Sequence, residues 1–142
     1  MFLGEYSHNI DLKGRLIVPS KIRENLSASF VVTKGLDNCL FLYNIEDWTV
    51  LSDKIKALPV TDKSVRQFVR FFFGGACELE IDAQGRILLP NNLREFAGFN
   101  KEIITIGVSN RVEIWAKENY DEYSENNVFD EVLAEKMANL GI

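Results

Sequence analysis

Two short stretches hold the residue types best suited to chemistry: Asp11-Leu12-Lys13-Gly14-Arg15 and Asp82-Ala83-Gln84-Gly85-Arg86. The planar guanidinium of arginine presents its donors as a fork matching a carboxylate, phosphate oxygens, or the O6 and N7 atoms of guanine. The aspartate four residues earlier suits a local role. Its carboxylate can accept from the following backbone amides and engage the arginine bidentately, which would fix the turn, and the glycine permits positive φ. The pattern predicts two rigid loops that display Arg15 and Arg86 and are structured by Asp11, Asp82 and Gly85. Lys13 makes the first loop the more cationic, because Gln84 stands at the equivalent place in the second. A rival reading makes Asp11 and Asp82 the acid and base of a carboxylate enzyme. Against it, each neighbouring arginine favours the ionised carboxylate, which suits an anchor better than a proton donor. A single histidine, His8, and two cysteines, Cys39 and Cys77, without metal-type spacing leave little for triads or zinc sites. Neither catalysis nor a cofactor nor a metal is expected.

The loops belong to a longer repeat. Asp11-Leu12-Lys13-Gly14-Arg15-Leu16-Ile17-Val18-Pro19 returns as Asp82-Ala83-Gln84-Gly85-Arg86-Ile87-Leu88-Leu89-Pro90. Upstream, Phe2, Gly4 and Ile10 align with Phe73, Gly75 and Ile81, and downstream Arg23 aligns with Arg94. After a slip of one residue, Val31-Val32-Thr33-Lys34-Gly35 faces Ile103-Ile104-Thr105-Ile106-Gly107. Self-similarity of this kind means two copies of one supersecondary unit, neither with enough core to be stable alone. The division expected is a single domain over 1–142, with repeat units at 2–48 and 73–120 and an acidic helical tail at 121–142. If the copies interlock about a pseudo-twofold axis, both arginine loops lie on one face.

Within each unit the Gly-Arg turn feeds an aliphatic strand that ends at Pro19 or Pro90. Proline cannot continue a central strand but suits a first helical position. Short helices are therefore expected at 20–26 and 91–97. Two strands then follow in each copy, 30–34 with 39–43 and 102–107 with 111–115, turning at Asp37-Asn38 and Ser109-Asn110. Longer helices are expected at 46–58, at 61–73 with Thr61 as N-cap, and in the tail at 117–125 and 129–140. On the second of these, Val65, Phe68, Val69 and Phe72 form an apolar stripe, with Lys63, Arg66 and Arg70 on the solvated side. Phe129, Val132, Leu133 and Leu140 recur at near-helical spacing, so the last helix should dock on the body or on a neighbouring subunit.

The 142 residues carry a net charge of −5 and are 46% apolar, which suits a globular domain. No apolar run reaches the roughly 18 residues of a membrane span, nor does the start resemble a signal peptide, so a cytoplasmic protein is expected. The charge is uneven. Residues 1–112 hold 14 Lys and Arg against 13 Asp and Glu, whereas 113–142 hold two Lys against eight acids. The body is thus free to present a local basic face despite the acidic total.

The tandem Asp-x-x-Gly-Arg, aliphatic run and Pro, with the opening Phe2-Leu3-Gly4-Glu5-Tyr6, resembles the MraZ family of bacterial transcription regulators, within the AbrB and SpoVT-type swapped-hairpin superfamily. The resemblance implies an α+β fold in which two pseudo-symmetric repeats form one swapped-hairpin, barrel-like core with flanking helices. It further implies closed homo-oligomeric rings, an octamer being expected. These rings would bind tandem promoter elements on double-stranded DNA upstream of the division and cell-wall genes, in the nucleoid. Carried over residue by residue, the family's motif places Asp11, Arg15, Asp82 and Arg86 in the site; with the loop's Gly14 and the other cationic residues of that face, the DNA-binding set expected is Lys13, Gly14, Arg15, Lys21 and Arg86. Membrane and small-molecule partners are not expected. The alternative within the same superfamily is an antitoxin-like module whose acidic tail binds a partner protein.

Overall fold

The computed structural model describes residues 1–142. In chain order it contains β1 (Phe2–Asn9), β2 (Arg15–Ile17), α1 (Ser20–Arg23), β3 (Ser29–Lys34), β4 (Leu40–Asn44), α2 (Ile45–Lys56) and α3 (Lys63–Gly74). These are followed by β5 (Cys77–Glu80), β6 (Arg86–Leu88), α4 (Asn91–Ala97), β7 (Glu102–Ser109), β8 (Val112–Ala116), α5 (Lys117–Asn126) and α6 (Glu131–Asn139). Asp37, Asn38 and Ser109 take positive φ in the two hairpin turns, a conformation that Asn and Asp tolerate better than most residues.

Six strands form an antiparallel sheet in the order β1-β7-β8-β4-β3-β5, and β2 and β6 pair as a separate antiparallel ribbon. The order reads the same from either end when the copies are exchanged. The first copy's β1 pairs with the second copy's β7, the second copy's β5 pairs with the first copy's β3, and β4 and β8 meet in the middle. The mixed α+β class agrees with the sequence reading, but the expected barrel does not close. Its two ends, β1 and β5, lie at opposite edges of the sheet, and the ribbon pairs with no strand of the sheet, being joined to the chain just after β1 by the isolated bridge between Ile10 and Leu16.

Strands β3 and β4 are apolar on both faces because the sheet is covered on both. One face packs Phe30, Val32, Leu40, Leu42, Ile103, Val112 and Ile114 against the ribbon's Leu16 and Ile87 and the helical Ile22, Leu93 and Ala97. The other packs Phe41, Tyr43, Ile104 and Trp115 against Ile55 of α2 and Phe72 of α3. Trp48 stacks on Phe72 with ring centroids 5.3 Å apart, and Thr33 donates from its buried hydroxyl to the Phe72 carbonyl at 2.5 Å, so α3 is held by packing and by a backbone acceptor.

Local signals placed most helices to within a few residues, with instructive exceptions. The α3 cap is Asp62, not Thr61: its carboxylate accepts from the Ser64 amide at 2.8 Å. Only Phe72 of the α3 stripe is fully buried, Val65, Phe68 and Val69 being half-covered. Arg66 lies off its solvated side and donates to the Val60 and Thr61 carbonyls, closing the turn before the helix. Pro19 and Pro90 sit at the N-cap rather than inside the helix. α5 docks through Tyr120 and Tyr123 on Trp115 and through Asn119 on the Ala97 carbonyl. α6 does not dock on the body as one of the two expectations had it. Phe129, Val132 and Leu140 are 68%, 67% and 73% exposed, because no element of the chain covers that stripe.

Where β1 crosses β7, Gly4 faces Gly107. A Cβ on Gly107 would stand 2.5 Å from the Phe2 carbonyl carbon and collide with the Leu3 amide nitrogen, and neither is a side chain that can swing away. Gly107→Ala is expected to cost about 3 kcal/mol and to lower Tm by about 10 °C. A melting curve within about 2 °C of wild type would show that β1 is not held against β7 as described.

Candidate nucleic-acid interface

The two loops have the same construction. Asp11 Oδ1 accepts from the Lys13 and Arg15 amides at 2.9 and 2.8 Å, and Oδ2 accepts from Arg15 Nε at 2.8 Å. Asp82 repeats this with the Gln84 and Arg86 amides at 2.9 and 2.8 Å and Arg86 Nε at 2.9 Å. Gly14 and Gly85 take φ of 86° and 76°, the left-handed conformation that closes each turn. The carboxylates are anchors, as the spacing predicts, but the arginine pairing is not the expected bidentate fork. Two backbone amides occupy one carboxylate oxygen, so only Nε meets the other, and the Nη edge of Arg15 is left without a protein partner. Arg86 gives one Nη to Gln84 Oε1 at 3.2 Å.

The ribbon brings the two loops together. Arg15 pairs with Leu88, Leu16 with Ile87, and Ile17 with Arg86. Since side chains alternate along a strand, Leu16 and Ile87 point into the core, and Arg15, Ile17, Arg86 and Leu88 share the outward face. The two arginines lie diagonally across this face, about 7 Å apart along the strands and roughly 5 Å across them. Ile17 and Leu88 between them are 59% and 57% exposed, unusual for such residues on a formed strand.

Each loop is also braced by the other copy. The Gly85 carbonyl accepts from the Val18 amide and the Gly14 carbonyl from the Leu89 amide, both at 2.9 Å. Arg94 of α4 lies over Gly14, where a Cβ would come 2.6 Å from its guanidinium, and Arg23 of α1 lies over Gly85 in the same way. Arg94 Nε donates to the Leu89 carbonyl at 2.9 Å, and neither arginine has a carboxylate partner. Sequence reasoning missed these two arginines as site residues. Their signal was present in the alignment of Arg23 with Arg94. Lys13 and Lys21 are exposed and make no ion pair. The site is therefore a rigid ribbon edged by unspent cationic donors, with glycine placed where side chains would obstruct the bracing arginines.

Hydrogen bonds from the Arg15 amide, foremost, together with the Arg15 side chain and the Lys13 amide, hold the Asp11 carboxyl below the usual carboxylate range, and the Arg86 amide leads the same effect on Asp82. A depressed native pKa stabilises the fold above the unfolded value of about 3.9, and this contribution is lost as pH falls through the native value. Asp11→Asn with Asp82→Asn should therefore lower Tm at neutral pH, with the gap from wild type closing in strong acid. A gap unchanged in acid would mean that carboxylate charge does not hold the loops. His8 is drawn below its ordinary pKa mainly by burial, and its Nε2 lies 2.7 Å from Thr105 Oγ1, so it is an uncharged cross-strand partner at neutral pH.

No helix of the chain is long and apolar enough to cross a membrane. A family model described as "MraZ protein, putative antitoxin-like" matches the chain twice, over residues 1–71 and 72–139. Proteins named transcriptional regulator MraZ are similar over the full length of both chains: 56% identical in Clostridium beijerinckii, 59% in Acetivibrio thermocellus and 54% in Caldicellulosiruptor bescii.

Proposed function

Because the chain belongs to the MraZ family, we propose that it is a sequence-specific DNA-binding transcription regulator whose β2–β6 ribbon enters the DNA major groove. The observation that carries this reading is the outward face of the ribbon, where Arg15 and Arg86 keep donor edges their aspartates do not use. A two-stranded ribbon fits a major groove about 12 Å wide, and an arginine edge can pair with guanine O6 and N7 there. Lys13, Gly14 and Lys21, together with Arg23 and Arg94 beside the loops, supply the flanking phosphate contacts from side chains and loop backbone. Asp11, Asp82 and Gly85 hold the loops in shape. The two repeats, 2–48 and 73–120, act as one folding unit of the swapped-hairpin kind, with 121–142 as its tail.

The DNA elements are tandem and lie upstream of the division and cell-wall genes, and the protein meets them in the nucleoid as a homo-oligomeric ring, an octamer. One subunit offers few phosphate contacts, which are weak at physiological salt. Neighbouring subunits on neighbouring elements make later contacts intramolecular, and avidity can then exceed single-site affinity by about 10² to 10⁴. Binding to duplexes bearing one, two or three elements, across a salt series, tests this. Affinity should climb steeply with copy number. Equal affinity for all three duplexes would refute the tandem reading, and no binding above the non-specific level would refute the DNA reading itself.

Ile17 and Leu88 add a specific expectation. Exposed aliphatic groups beside base-reading arginines suit the C5-methyl of thymine. Replacing the contacted thymine by uracil removes one methyl, worth about 0.8 kcal/mol or roughly fourfold in affinity. Wild type should lose that factor and Ile17→Ala with Leu88→Ala should not. Equal losses in both proteins would place these side chains away from the bases.

A further inference from the structure

α6 carries an apolar stripe with no cover, and a groove elsewhere on the same chain carries apolar lining with no occupant. The stripe consists of Val132 on the helix, with Phe129 just before it and Leu140 just after it, all largely exposed, beside the half-covered Leu133 and Met137, and Asp130, Glu131 and Glu135 flank it. Exposed apolar side chains gathered along one helix and its two ends mark an interaction surface rather than scattered surface residues. The groove has a volume of about 320 Å³ and runs between β4, α2 and α3, with Phe41, Leu51, Ile55 and Phe68 among its lining. Lys34 and Arg111 stand at its walls. Lys34 makes no ion pair and leans over the Phe71 and Phe96 rings, while Arg111 lies 4.6 Å over Phe41, is ion-paired through Nη2 with Glu113 at 2.8 Å, and leaves only its buried Nε without an acceptor.

We propose that α6 of one copy, with Phe129 just before it, docks its Val132–Leu133 face into the β4–α2–α3 groove of a second copy, its acidic flank against Lys34. The chemistry matches on both counts: an amphipathic helix seats its apolar face in an apolar groove, and the charges on the two sides are opposite. Helix and groove are different patches of the same chain, so the contact is head-to-tail, the type that closes into a ring when its rotation permits. The groove lies on the sheet face opposite the β2–β6 ribbon, so docking leaves the arginines free. This deepens the ring reading above and rests on it.

The test uses full-length chains altered at exposed positions. Leu36→Cys at the groove and Val132→Cys on α6 are made in separate chains, oxidised alone and then mixed. A disulfide-linked pair is expected only in the mixture, since the bond needs Cα atoms about 4.4–6.8 Å apart. In parallel, Phe129→Asp with Val132→Asp should weaken self-association at least tenfold in a light-scattering mass measurement. Lys34→Glu should do likewise and be rescued when Glu131→Lys and Glu135→Lys are added to the same chain. An intrachain disulfide in the Leu36→Cys, Val132→Cys double variant would overturn the proposal, because docking would then be within one copy. An unchanged mass in the aspartate variant would also overturn it while leaving a ring built on another surface. A monomeric wild type would overturn docking and ring together, and binding to a one-element duplex would still report separately on the ribbon.

Discussion

Alanine at both Arg15 and Arg86 is expected to abolish measurable binding to a tandem-element duplex at physiological salt while leaving the fold nearly as stable as wild type. An arginine that reads a base contributes about 1–3 kcal/mol and its loss relaxes preference at one position, whereas loss of a phosphate contact flattens the salt slope by about one. Two arginines per subunit, repeated over the subunits engaged on tandem elements, multiply either loss, and avidity falls with the single-site affinity that feeds it. The fold should tolerate the change, because each aspartate keeps its two backbone donors and the loop keeps the ties to Val18 and Leu89. Arg15→Lys separates the two roles: it keeps the charge but loses the planar fork, so it should retain non-specific binding and lose base preference. Binding isotherms at several salt concentrations, with melting curves as the control for folding, decide the matter. Full affinity in the double alanine variant would remove the ribbon from the interface.

The second large effect concerns the halves. Residues 1–71 and 72–142 expressed separately are each expected to be unfolded, and to regain the sheet only when mixed. The buried cluster on the ribbon side of the sheet takes nine of its 16 residues from the first half and seven from the second. Separation would strip β1 of β7, β5 of β3 and β2 of β6, leaving only the two hairpins with an intact partner strand. An isolated hairpin is marginal in water, and a half-length unit buries too little apolar surface to offset its conformational entropy. Circular dichroism of each half alone and of the equimolar mixture tests this. A half with a cooperative melt of its own would show that the repeats are independent units, contrary to the pairing described.

The amino-acid sequence by itself determined what depends on neighbours a few residues away. The Asp-x-x-Gly-Arg turn, with its carboxylate on the amides two and four residues on and its positive-φ glycine, was legible because all its bonds close within five residues. The helix starts after Pro19 and Pro90 and the hairpin turns at Asp37-Asn38 and Ser109-Asn110 were legible for the same reason, and comparing the chain with itself exposed the repeat. The division of Asp11 and Asp82 between backbone and Nε was not legible, because it depends on the backbone trace through the turn. Nor was the bracing of Gly14 by Arg94 and of Gly85 by Arg23, which joins residues from opposite copies. Tertiary structure alone decided that β1 seeks β7 rather than its own copy's strands, that the sheet stays open, and that the face on which Arg15 and Arg86 meet, as the pseudo-twofold arrangement implied, is a two-stranded ribbon carrying two exposed aliphatic residues. Strand pairing across about a hundred residues is selected by which faces can be buried together, a property of the whole core that no local spacing encodes. The apolar stripe of α6 shows the same boundary: its periodicity was legible in the chain, and its lack of cover was decided by the fold.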